Sequence, residues 1–147
     1  MLTNDNSRSL SGFPDQPADD AHLEPGIRRL VYALNRSGFR TRASCQGHWH
    51  WFFGPSIPYV AFTGSEERAY RLSQFLSHLQ RRGGLHWDLS ARFGTDGLLW
   101  YRLAPARPFP LFAETLIPTP FWRRAWTVYL RRVEADQIAI EDNLSAH

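Results

Sequence analysis

The stretch Leu85–Ala104, LHWDLSARFGTDGLLWYRLA, decides what kind of fold this chain makes. Leu85, Trp87, Leu89, Ala91 and Phe93 alternate with His86, Asp88, Ser90 and Arg92. That two-residue period marks a strand with one apolar face. Gly94-Thr95-Asp96-Gly97 supplies turn residues, and Leu98 to Ala104 returns as the partner strand. A hairpin of this kind builds an antiparallel sheet whose second face is polar and open.

Upstream, Gly83-Gly84 stops a helix that starts at Gly64-Ser65-Glu66-Glu67. Ser65 is placed to cap it, and the two acids sit beside the positive end of its dipole. Leu72, Phe75, Leu76 and Leu79 form its apolar stripe. Before that helix lies Phe39–Thr63, FRTRASCQGHWHWFFGPSIPYVAFT. Phe39 to Ser44 reads as a strand with Phe39, Thr41 and Ala43 on one side and Arg40 and Arg42 on the other. Cys45 to Pro58 reads as a loop carrying Trp49, Trp51, Phe52 and Phe53, and Tyr59 to Thr63 as a more fully buried strand.

The first helix is expected from about Leu23 to Ser37, with Pro25 in its first turn and Gly38 ending it. Ile27, Leu30, Val31 and Leu34 make its buried stripe. Downstream of the hairpin, Pro105 to Pro120 is proline-rich and reads as an irregular wrap. A long final helix begins at Thr119-Pro120, with Trp122, Trp126, Tyr129, Val133, Ile140 and Leu144 on one face and a fraying end from Asn143 to His147. The order is α-β-β-α-β-β-α. The expected fold is α+β, a single domain with a mainly antiparallel four-stranded sheet and helices packed on one face. Residues 1–22 read as a flexible acidic tail and 23–147 as the domain.

The sheet's other face is then expected to carry Arg40, Arg42, His86, Asp88, Ser90 and Arg92, either as plain solvated surface or as a basic platform for RNA or a protein. All 17 basic residues are arginine, and the formal charge is +3. Residues 1–24 carry a net −4, so the remainder is +7. A basic body suits a polyanion or an acidic protein surface. No run approaches the roughly 18 apolar residues that span a bilayer. One cysteine and no signal-like leader fit a reducing cytoplasm.

Cys45, His48 and His50 form C-x2-H-x-H, and three readings stay open. Cys45 is a small buried group, a zinc ligand lacking a complete set of four, or a nucleophile with His48 as base. The aromatic loop, Trp49 to Phe53, is either a satellite cluster over the sheet or a contact surface, since Trp and Arg dominate binding hot spots and aromatic rings stack unpaired bases. The nucleotide-binding glycine motifs and the hydrolase G-x-S-x-G are absent.

T-R-A-S-C-Q-G-H (Thr41–His48), P-Y-V-A-F (Pro58–Phe62) and a helix beginning S-E-E resemble the tRNA wybutosine-synthesis methyltransferase family, in which a strand ends in T-x-S-S-C-S-G-R. They also resemble small proteins of bacterial chromosomes, phages and plasmids that keep S-C-x-G-H and P-Y-V-A-F. The likeness covers about residues 25–80. The first resemblance implies an α/β fold, S-adenosylmethionine and tRNA, with Thr41, Ser44, Cys45 and Gly47 at the matching positions. Ala43, Gln46 and His48 depart from that motif.

The favoured expectation is a small cytoplasmic binding protein of a mobile element that docks on a protein or nucleoprotein complex and modulates or inhibits it. An anti-CRISPR-like inhibitor is one version. Trp49, His50, Trp51, Phe52, Phe53, Arg40, Arg42 and Arg92 would bind, with no cofactor, metal or membrane. The alternative is an S-adenosylmethionine-dependent RNA methyltransferase or RNA-binding protein, with Cys45 and His48 beside the substrate.

Overall fold

A computed structural model describes residues 23–50, 54–106 and 119–146, with backbone alone at 48–50, 54–55 and 119–122. The acidic tail, Trp51, Phe52, Phe53 and most of the proline-rich wrap lie outside the described residues. Among the described residues, three helices, α1 (Pro25–Arg36), α2 (Glu66–Arg81) and α3 (Thr119–Ser145), accompany six strands. The strands are β1 (Arg40–Cys45), β2 (His48–His50), β3 (Gly54–Ser56), β4 (Tyr59–Thr63), β5 (Trp87–Phe93) and β6 (Leu99–Pro105). β1, β4, β6 and β5 form one four-stranded sheet in that order, antiparallel throughout. The α-β-β-α-β-β-α order and the α+β class stand as expected.

Local chemistry explains the boundaries. Ser65 accepts a hydrogen bond from the Arg68 amide and caps α2, with Glu66 and Glu67 in its first turn. Gly38 ends α1 at φ +85°, the left-handed region that glycine enters without steric cost. Gly97 does the same in the β5–β6 turn at φ +74°.

One sheet face carries the helices. Ile27, Leu30, Val31 and Leu34 of α1, Leu72 and Leu76 of α2, and Trp126, Tyr129, Val133 and Ile140 of α3 bury against Val60, Phe62, Trp87, Tyr101 and Leu103. Phe62 is central. Its ring meets Phe39 edge-on at 4.9 Å and stacks on Tyr101 at 5.8 Å. Asp136 clamps α3 to the start of β5, accepting from the Leu85 amide at 2.8 Å and from Trp87 Nε1 at 2.9 Å. That buried carboxylate satisfies an indole N–H that would otherwise be buried without a partner.

Three details differ from the sequence reading. Cys45 to Pro58 is not all loop: β2 and β3 pair as a short antiparallel ribbon, with Trp49 opposite Pro55. A ribbon's edge tolerates proline, which cannot donate to a ladder. Ala43 does not share a face with Thr41, because a bulge shifts the β1–β4 register between them. Thr41 pairs with Phe62 on the helix side, whereas Ala43 pairs with Ala61 on the other. Finally, the apolar face of β5 is covered only at its start. Trp87 is buried, Leu89 is half-buried, and Phe93 is 78% exposed. Burial declines toward the hairpin turn, so the helix layer shields only the first half of the strand.

Candidate nucleic-acid interface

The face away from the helices is built in cross-strand rows, because directly opposed residues share a face. One row runs Arg40, Thr63, Trp100, Arg92. The next runs Ala43, Ala61, Arg102, Ser90. Beyond them, Cys45 pairs with Tyr59, and Ala104 with Asp88. Arg42, the bulge residue, also turns to this side, since its guanidinium lies over the Trp100 ring at 5.5 Å.

Small residues at the middle of the face allow long side chains to lie flat across it. Ala43, Ala61 and Ala104 leave room for Arg102, whose guanidinium covers the Tyr59 ring at 5.1 Å. Cation–π pairs of this kind contribute roughly 0.5–1 kcal/mol each where water reaches them. They also place two guanidinium groups over aromatic rings on this face. Trp100, only 4% exposed, donates from Nε1 to Asp96 in the hairpin turn. The Asp96 carboxyl is held below its usual range by the Leu98 amide first, with help from Trp100 Nε1 and the Arg42 charge, against some desolvation. Burial, followed by the charge of a Cys45 thiolate, raises the Tyr59 phenol, and Arg102 pulls it back.

The charges here are only partly offset, by Asp96 near Arg42 and by Asp88 on β5. Arg40, Arg42, Arg92 and Arg102 form no salt bridge with a described carboxylate, and Asp88 is the acid among them on the strands. On the helix side, Arg29 and Arg36 both pair with Glu141, at 3.2 and 3.1 Å, and Arg71 pairs with Glu67. Arg42 Nε is buried without a hydrogen-bond partner. A cationic, ring-backed surface is suited to phosphate and base contacts.

The structure thus brings together Arg40, Arg42 and Arg92, as the strand alternation implied. Cys45 ends β1, half-buried, and its Sγ accepts from the Gly47 amide at 3.4 Å. His48 to His50 form β2 beside it, described by backbone alone. His86 lies one residue before β5, where its carbonyl still accepts from the Ala106 amide at 2.7 Å, and its ring bonds Gln80 at 3.0 Å. Among the described residues, no three His, Cys, Asp or Glu side chains converge on a metal-sized site. No described helix is long and apolar enough to cross a membrane.

Sequence reading missed Tyr59, Trp100 and Arg102. The signal was present for two of them: Trp100 and Arg102 fall in phase with Arg92 across the hairpin. Tyr59 was hidden by the apolar run that follows it. Comparison with family models, with curated proteins and with solved structures finds no match to this chain.

Proposed function

We propose that this protein is a binding protein that docks on a nucleoprotein complex by laying the open face of its sheet on unpaired nucleic acid. The observation that carries the reading is the set of four arginines across one sheet face, none in a salt bridge with a described carboxylate and two of them over aromatic rings. Arginine planes and aromatic rings stack on splayed bases, and guanidinium edges meet phosphates. Modulation or inhibition of the complex would follow from occupying its nucleic acid. The β2–β3 ribbon, with Trp49 and His50, continues from the Cys45 end of the same sheet and extends the contact.

Stacking requires bases that are not already stacked in a helix. A fluorescent single-stranded 12-mer RNA is therefore expected to bind at least ten-fold more tightly than its duplex in an anisotropy titration, since each stacked base adds roughly 1–3 kcal/mol. Equal affinity for strand and duplex would mean that charge alone drives contact and that the rings play no part.

A further inference from the structure

The outer edge of β5 is open. Among the described strands β5 pairs with β6 alone, and Asp88, Ala91, Arg92 and Phe93 are all exposed. In an antiparallel pair, alternate residues turn their N–H and C=O toward the neighbouring strand, and the residues between them turn theirs away. The Gly94 amide donates to the Leu98 carbonyl at 2.9 Å, and the Ala106 amide donates to the His86 carbonyl at 2.7 Å. Both bonds continue the β5–β6 register. Even-numbered residues of β5 therefore bond inward, while Trp87, Leu89, Ala91 and Phe93 present their backbone groups outward. Such a row is a template for another strand.

The sequence of that edge is complementary to itself. A second β5, antiparallel and related by a two-fold axis through Ser90, sets Asp88 opposite the partner's Arg92 and Arg92 opposite the partner's Asp88. Outward-bonding residues then meet outward-bonding residues, with Leu89 opposite the partner's Ala91 and Trp87 opposite the partner's Phe93. Moving the axis to Leu89 or Ala91 keeps the backbone pairing but leaves Asp88 opposite Ser90 or Gly94. In the Ser90 register Asp88 and Arg92 occupy non-hydrogen-bonded pairs, where facing side chains lie closest and opposite charges attract. Charges on an edge strand ordinarily discourage pairing. Here they are opposite in sign and symmetric about Ser90, so they favour one partner, a second copy of the same strand.

The apolar residues fit the same axis. The helix layer buries Trp87 at one end of β5 and leaves Phe93 78% exposed at the other. The two-fold sets the covered end of each strand beside the bare end of the other, which gives the Phe93 ring an apolar neighbour that its own chain does not supply.

We infer that this chain forms a two-fold dimer by pairing β5 with the β5 of a second copy. The two four-stranded sheets join edge to edge, with their open faces on the same side. The inference stands on the strand edge and does not depend on what the open face binds. Sedimentation velocity of the full chain across the micromolar range tests it, and the mass of two chains is expected at the upper end. Asp88→Arg should weaken the dimer by roughly ten-fold or more, because both cross-axis pairs become repulsive, and Arg92→Asp should do the same. The combined Asp88→Arg/Arg92→Asp variant should recover the dimer to within a few-fold of the parent. In a Cys45→Ser background, Ser90→Cys should form an interchain disulfide on mild oxidation, since the axis holds the two residues within bridging distance, while Thr95→Cys should not. A monomer at every concentration, a dimer indifferent to either single change, no recovery in the combined variant, or equal cross-linking at positions 90 and 95 would each overturn the inference.

Discussion

Replacing Arg42, Arg92 and Arg102 together with glutamine is expected to lower affinity for a single-stranded RNA by on the order of 1,000-fold, since three charge-assisted contacts at roughly 1.5 kcal/mol each are lost. The three side chains come from β1, β5 and β6, so the substitution clears charge across the whole width of the sheet. The slope of log affinity against log salt should fall by about 2, because each lost phosphate contact removes roughly 0.7 of a counterion on a single strand. The fold should survive. None of the three packs in the helix-side core, and Arg42 Nε is already without a partner. Arg71→Gln/Arg81→Gln/Arg82→Gln, on α2 and its end on the helix side, removes the same three positive charges. That control should change affinity by no more than a few-fold. If the two variants lost affinity alike, net charge rather than the sheet face would be responsible.

The largest effect on stability is expected at Phe62. Its side chain is fully buried and joins β4 to Phe39 and Tyr101 while the helices press on it from one side. Phe62→Ala should cost about 3–5 kcal/mol, combining lost transfer energy with the cavity left behind. Domains of this size are stable by roughly 5–15 kcal/mol, so the variant should be at the edge of unfolding. Chemical denaturation would show a midpoint shifted far down with an unchanged slope. A shift under about 1 kcal/mol would mean that the layer between sheet and helices is loosely packed, contrary to the contacts described.

Local chemistry made the fold legible. Ser65, Gly38 and the alternation from Trp87 to Arg92 each act on neighbours a few residues away, so their meaning survives without tertiary context. Ala43 was misplaced because a bulge is a two-strand event: the extra residue shows only once β1 meets β4. Trp87 looked like one more apolar strand residue, whereas its N–H depends on Asp136, distant in sequence. Trp100 is the reverse case. It lies on the face without helices yet is shielded beneath Arg42, a contact that crosses an intervening strand.

The interface was legible in part for the same reason. Strand period sorted Arg40, Arg42 and Arg92 correctly onto one side. It could not show that the Arg42 and Arg102 guanidinium groups lie over Trp100 and Tyr59, nor that carboxylates pair with Arg29, Arg36 and Arg71 on the helix side.

Mapping the binding surface by amide chemical shifts, with a single-stranded 12-mer RNA added to isotope-labelled full-length protein, tests the central claim most directly. Saturable changes are expected along β1, β4, β6 and β5, strongest around Tyr59, Ala61, Trp100 and Arg102. Changes confined to the outer surfaces of α1, α2 and α3, with the strands unmoved, would contradict it.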